Sequence, residues 1–199
     1  MILVVAAMEE EAKLFLEQDF PQVKILLTGV GKVNAAMSLA EFIVQNPVDA
    51  IYNLGFAGAT RPFEVSDLVL ISDATYHDFD LSLFGYHKGQ VPGYPEKFVS
   101  DIKLINKVKS VIPSIKSGHL YTGDYFMTHE REDACVIDME GAALYQVAYQ
   151  KHIPIVSVKV ISDVMGMDNH YDSYKKFESS HGAHMLYELF IKLFKEVSS

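Results

Sequence analysis

The chain has 199 residues, 49% hydrophobic and 22% charged, which excludes a disordered polypeptide. At this length roughly 70% of the surface exposed by the unfolded chain is buried on folding, enough for a real core. Seventeen Lys and Arg against 26 Asp and Glu leave a formal charge of −9, which argues against a nucleic-acid or anionic-membrane surface and for a neutral or weakly charged small-molecule partner.

Residues 1–7, MILVVAA, read as a first strand over Ile2–Ala7: no basic residue precedes the apolar run and acidic MEEE follows it, unlike a leader peptide. A helix is expected over Glu9–Gln18, with Ala12, Leu14, Phe15 and Leu16 on its apolar side. Val23–Val30 reads as a strand and Lys32–Gln45 as a helix, because Val33, Ala36, Met37, Ala40 and Val44 recur near every 3.6 residues. Strands follow at Val48–Leu54 and Leu68–Tyr76, then a helix over Ile102–Ile112, stopped by Pro113. Ser117–Thr122 and Ala134–Asp138 read as strands, Gly141–His152 as a helix and Pro154–Ile161 as a strand. The last helix, about Tyr174–Val197, carries Met185, Leu186, Leu189, Phe190, Leu193, Phe194 and Val197 on one stripe.

Runs such as ILVVAA and PIVSVKVI are the pattern of strands covered on both faces, hence of an α/β fold with a largely parallel sheet between helix layers. No linker or internal repeat divides the chain, so one domain over 1–199 is expected. The single cysteine, Cys135, excludes an internal disulfide framework and a Cys-rich zinc site, and the cytoplasm is the simplest location. No apolar run approaches the ~18 residues of a membrane span.

In such folds ligands bind beyond the carboxyl ends of the strands, here AAMEEE (6–11), TGVGK (28–32), NLGFAGA (53–59), TGDYF (122–126), DMEG (138–141) and ISD (161–163). Gly31-Lys32 is not a phosphate loop: Leu26 stands where its first glycine belongs, and Val33 follows the lysine in place of Ser or Thr. Gly29-Val30-Gly31 lacks the third glycine of a dinucleotide fingerprint and reads as a tight strand-to-helix turn, whose N–H groups could meet an anion, a hydroxyl or a water. His77, Asp78 and Asp80, and His181 with His184, read better as polar strand and helix ends than as metal ligands, so no metal is expected. Cys135 in ACVID reads as a buried structural thiol. Glu11, Glu140 and Asp163 stand at expected strand ends. Singly each reads as a cap or a solvated turn residue; together they could act as acid, base and hydroxyl holder around one rim. Phe56, Phe126 and Met127 could form an apolar slot for a flat ring.

AAMEEE, TGVGKVNAA (28–36), NLGFAGA, YHDFD (76–80), FGYHKGQVPG (84–93), TGDYF, DMEGAALYQVA (138–148) and VISD (160–163) follow in an order that resembles the 5′-methylthioadenosine/S-adenosylhomocysteine nucleosidases of the purine nucleoside phosphorylase superfamily. The resemblance covers nearly the whole chain. It implies a three-layer αβα sandwich with a mixed, largely parallel central sheet, usually homodimeric, without metal or organic cofactor, that hydrolyses the bond between adenine and a 5′-thio-substituted ribose. It implies that Asp163 donates to purine N7 with Ser162 helping to set it. Glu140 holds the ribose hydroxyls, and Glu11 positions and deprotonates the attacking water. Met8 and Met139 fall near the sugar, Phe126 stacks on adenine and the Met127 backbone reads its edge; Val30, Phe56, Ala57, Gly58, Asp138 and Lys159 are further expected to contact the substrate. Leu81, Phe84, Tyr86 and Pro92 resemble the 5′-substituent pocket, some of them lent by a partner subunit.

The chain departs from the family pattern in three places. Gly55-Phe56-Ala57-Gly58-Ala59 replaces GSAGG, so Phe56 takes the place of a small residue, disfavours a bound phosphate and could narrow the sugar pocket. Lys159 replaces a frequent arginine, a point charge for a planar fork. The connection between Gln18 and Val23 lacks a hairpin. For the chemistry, desolvation at an apolar strand end would raise the Asp163 pKa, while Glu140 should stay ionised to favour an oxocarbenium-like sugar. A futalosine-type hydrolase, another purine nucleoside hydrolase or phosphorylase, a non-catalytic nucleoside-binding protein and a nucleotide-binding α/β protein stay open at this level.

Overall fold

The computed structural model describes residues 1–16, 18, 20–127, 133–166, 177 and 181–195. Its strands are β1 (Ile2–Ala6), β2 (Val23–Leu27), β3 (Ala50–Ala59), β4 (Leu68–Tyr76), β5 (Phe98–Val99), β6 (Lys116–Thr122), β7 (Cys135–Asp138) and β8 (Ile155–Val164). Its helices are α1 (Glu9–Ala12), α2 (Lys32–Gln45), α3 (Ile102–Val111), α4 (Gly141–Lys151) and α5 (Gly182–Phe194).

Leu3 and Val5 of β1 face one side of the sheet, Val4 and Ala6 the other, and all four are fully buried. That two-sided burial is the reason the segment is apolar at successive positions, and β8 is likewise buried along its whole length. Helices α2 and α4 cover the face with Leu3 and Val5; α1, α3 and α5 cover the other. The result is the expected three-layer α/β arrangement. The sheet runs β2-β1-β3-β7-β6-β4-β5, and β8 pairs with both β3 and β4. Strands β3, β7, β6, β4 and β8 thereby close into a ring. The pairs β1–β2, β1–β3, β3–β8, β4–β6 and β6–β7 are parallel, whereas β3–β7, β4–β5 and β4–β8 are antiparallel.

Strand β5 is absent from the sequence expectation, β2 stops at Leu27 rather than Val30, and three further elements depart from it more instructively. Helix α1 is a single turn rather than reaching Gln18: Phe15 N donates to Ala12 O at 2.8 Å, an i→i−3 bond that tightens the chain. The Phe15 ring is drawn onto Phe190 of α5 (stacked, centroids 4.6 Å apart), and Leu16 is left exposed. Strands β3 and β8 run to Ala59 and Val164, so GFAGA and ISD lie within strands and not beyond them. β3 finds ladder partners on both sides there, β7 at Gly58 and Ala59 and β8 throughout. The α5 stripe is buried as expected from Leu186 to Phe194, while residues 174–176, 178–180, 196 and Val197 of the expected helix lie outside the described residues.

The β3–β8 register shifts between Ala57 and Gly58: Ala57 pairs with Ile161 and Gly58 with Asp163. Ser162 is the additional residue of a β-bulge, a feature that re-aims side chains. This bulge and the carboxyl ends of β1 and β7 border one cavity.

Candidate active site

Three consecutive glutamates favour a helix start, since negative charge is stabilised there. Glu11 is the one turned inward, 3% exposed. Its Oε2 accepts from the backbone N–H of Ala7 (2.8 Å) and Met8 (3.0 Å), and its Oε1 from that of Phe56 (2.7 Å). Only glycine at position 55 leaves room for it, because a Cβ there would stand 2.6 Å from Glu11 Oε1. Burial pushes the Glu11 carboxyl above the ordinary carboxylate range, against the Lys159 charge and the three amides, which pull it down.

Lys159 lies opposite Gly55 in the β3–β8 ladder and is 2% exposed. Its Nζ stands 2.8 Å from Asp138 Oδ2. Burial lowers a lysine pKa, but the charges of Asp138, Glu11 and Glu140 outweigh it, so the ammonium form holds. Asp138 closes β7. Its Oδ1 accepts from Thr122 Oγ1 (2.6 Å), and both oxygens receive the Gly141 N–H (3.1 and 2.9 Å). Asp138 therefore caps α4, and although it borders the cavity its oxygens are engaged by the protein. Lys159, expected to contact substrate, is not among the residues lining the cavity; its ammonium group is paired with Asp138.

Glu140 precedes the first residue of α4, where a side chain ordinarily caps the helix. Asp138 has taken that duty. The Glu140 carboxyl turns instead to the turn before α2, where Gly31 N–H donates to Oε1 at 2.8 Å. Gly31 has φ +97°, a conformation open to glycine, and its amide thus meets a carboxyl oxygen supplied by the protein itself. Burial, and then the Asp138 charge, push the Glu140 pKa up to about 8, over the opposing pull of Lys159. This upward push runs against the ionised state expected of Glu140 from the chemistry.

On the bulge, Ser162 Oγ donates to Asp163 Oδ1 (2.5 Å), with the Ala57 carbonyl oxygen as a second acceptor at 3.1 Å. Asp163 is 2% exposed.

These groups share a cavity of about 150 Å³. Glu11, Glu140 and Asp163 line it together with Ser162 and Asp138. Met8, Val30, Phe56, Ala57, Gly58, Phe126 and Met139 supply its apolar wall. Met127 lines a smaller adjoining cavity of about 40 Å³, which shares Phe126, Met139 and Asp163 with the first. Leu81, Phe84, Tyr86 and Pro92 line neither cavity; they lie along a segment in which Phe84 is 76% exposed. The Phe56 ring is only partly committed to the cavity, since it packs edge-on against Phe177 and its ring atoms fill the space beside Gly182. Sequence reasoning missed Ala7 and Ile137, which also line the site. Both adjoin residues it named, and the carboxyl-end rule pointed at Ala7.

Two outcomes follow from this geometry. Gly55→Ala displaces the Glu11 carboxylate and leaves the Phe56 amide without its acceptor, so urea unfolding registers a loss of about 1–3 kcal/mol; an unchanged midpoint and slope would mean that Glu11 is not pinned there. Between pH 4.5 and about 8 the folded protein keeps a Glu140 proton that the unfolded chain has lost. That contribution is complete below pH 4.5 and falls as pH rises, by up to about 1.4 kcal/mol per pH unit. Glu140→Gln removes this fall, and equal slopes in the two proteins would place the Glu140 proton elsewhere.

Residues 1–186 match the family model of the phosphorylase superfamily. The 5′-methylthioadenosine/S-adenosylhomocysteine nucleosidase of Anoxybacillus flavithermus (strain DSM 21510 / WK1) is 31% identical, with 88% of this chain and 90% of that protein covered. The Bacillus subtilis (strain 168) protein of the same name is 32% identical, with 91% and 84% covered. A solved 5′-methylthioadenosine/S-adenosylhomocysteine nucleosidase from Colwellia psychrerythraea 34H, in complex with adenine, superposes with a TM-score of 0.86 at 28% identity, covering 98% of this chain and 95% of that one. With its fold, cavity and matched length in agreement, the chain belongs to the phosphorylase superfamily and, within it, to the 5′-methylthioadenosine/S-adenosylhomocysteine nucleosidase family.

Proposed function

We propose that this protein hydrolyses the N-glycosidic bond of 5′-methylthioadenosine and S-adenosylhomocysteine, releasing adenine and the thio-substituted ribose. The observation that carries the reading is three carboxyl groups in three different hydrogen-bonding environments, buried on one cavity with an apolar wall. Water adds to the anomeric carbon as the bond to the purine breaks, and the bonding electrons leave with the base. Asp163 supplies the proton that makes adenine a neutral leaving group, with the Ser162 hydroxyl orienting it. Glu11 takes the proton of the attacking water. Its raised pKa makes it a stronger base than an exposed carboxylate, and three backbone amides hold it still. Glu140 accepts from the ribose hydroxyls, and a positive charge developing on the sugar favours its ionised form. Phe126 and Met139 offer the flat base and the sugar apolar contact.

Water rather than phosphate as the nucleophile is supported by what lines the site. Among the described residues no lysine or arginine lines the cavity, and the Phe56 amide is already given to Glu11. A bound phosphate would meet three carboxyl groups and no cation.

The reading includes a homodimer. Val33, Met37 and Val44 on α2 are 72%, 61% and 78% exposed, and Leu83 beside Phe84 is 97% exposed, large apolar side chains that a partner subunit would cover. In the dimer Leu81, Phe84, Tyr86 and Pro92 contribute to a 5′-substituent pocket. The cytoplasm remains the expected location, since a lone buried Cys135 suits a reducing compartment.

Adenine release from methylthioadenosine, followed by ultraviolet absorbance, proceeds without phosphate and is not accelerated by it; an absolute phosphate requirement refutes the hydrolytic reading. Asp163→Asn lowers turnover at least about 10²-fold, and Glu11→Gln abolishes turnover while substrate still binds. Turnover of Asp163→Asn within threefold of wild type removes Asp163 from the acid role. Light scattering after size exclusion gives twice the 22.3 kDa chain mass, and a single-chain mass would rule out the dimer.

A further inference from the structure

Gly31-Lys32 forms no phosphate loop, and Asp78 of YHDFD has no part in the chemistry above, yet the fold brings them together beside the cavity. Lys32 is the first residue of α2. Its Nζ donates to both carboxylate oxygens of Asp78, at 2.7 and 2.6 Å, and lies 3.5 Å from Asp124 Oδ2. Its backbone N–H donates to Asp124 Oδ1 at 2.8 Å, and the Asp124 N–H donates to Asp78 Oδ2 at 2.9 Å. The ammonium also stands 5.5 Å from the centroid of the Tyr76 ring, within cation–π range. Three segments distant in sequence are thus joined in a closed ring of charge-assisted hydrogen bonds, the strong kind.

Each segment carries part of the cavity or adjoins it. The turn before Lys32 holds Val30, which lines the cavity, and Gly31, whose N–H holds Glu140. Asp124 precedes by two residues Phe126, which lines both cavities. Asp78 follows β4 and is anchored to the sheet, as His77 N–H donates to Thr122 O at 3.0 Å. At 23% and 17% side-chain exposure the Lys32–Asp78 pair is neither solvated like a surface pair nor part of the core.

We propose that Lys32 is a positioning residue for the reaction: through Asp78 and Asp124 it clasps the Gly29–Gly31 turn to the sheet and so fixes the amide that holds Glu140 and the wall formed by Val30 and Phe126. This rests on the reading of the cavity as the nucleoside site. Lys32 touches neither the cavity nor the reacting atoms. It acts because a small displacement of a positioned group carries a large kinetic cost.

The test compares wild type with Lys32→Met, Lys32→Arg and Asp78→Asn. In Lys32→Met, kcat/KM for adenine release from methylthioadenosine falls about tenfold to a hundredfold, mainly through KM because ribose holding is what loosens. Lys32→Arg, which keeps the charge and a fork matched to a carboxylate, recovers to within about threefold of wild type. Asp78→Asn falls between them. Amide exchange at Gly31, measured without substrate, accelerates at least about tenfold in Lys32→Met and returns in Lys32→Arg. Activity of Lys32→Met within twofold of wild type overturns the clasp, as does equal loss in the Met and Arg variants or an unaltered Gly31 exchange rate. If wild type releases no adenine, the nucleosidase reading fails by itself, and the Gly31 exchange rates still decide whether Lys32 holds the turn.

Discussion

The ion pair between Lys159 and Asp138 is the constraint around which the site is arranged. A lone buried ammonium group would be too costly to keep charged, and so would a cluster of buried carboxylates. Placed together they sustain one another: Lys159 stays charged because Asp138, Glu11 and Glu140 surround it, and it tempers the upward push that burial gives to both glutamates. The pair is almost wholly buried, 2% exposed on the lysine side and 1% on the aspartate side. Removing one partner would leave the other buried and unpaired, which makes position 159 sensitive although it contacts no cavity.

Asp138 then divides labour at the start of α4. It caps the helix through Gly141 and binds Thr122, so Glu140, the residue placed at the cap position, keeps its carboxyl for the cavity. A comparable displacement occurs on β8, where the bulge inserts Ser162 and brings Asp163 opposite Gly58. On β3, absence of a side chain at Gly55 admits Glu11, and the Phe56 amide locks it. Each acid is held by a different device: a helix start, a displaced cap and a bulge. Those different surroundings are what the proposed division of roles among the three carboxyl groups rests on.

The element order and the acidic residues were legible in the chain. Two-sided burial leaves an apolar run, so β1 and β8 announced themselves, and α2 and β4 have the bounds their periodicity indicates. Local pattern failed where tertiary contacts override it. Phe15 turns toward Phe190 and ends α1 after one turn, and β7 and β8 extend β3 through glycines that read as a loop. The three carboxyls were found because a strand's carboxyl end is where such folds bind ligands, a rule needing only strand position.

The sequence by itself determined the layered α/β architecture and which acidic residues fall near the carboxyl ends of strands, because periodicity and burial are properties of neighbouring residues along the chain. Only the tertiary structure decided that Lys159 pairs with Asp138, that Asp138 is a cap, that Gly31 receives Glu140 and that Lys32 reaches Asp78. These are contacts between residues 21 to 109 positions apart—save for the local cap at Gly141—and such partnerships depend on strand register and bulges that no local pattern encodes.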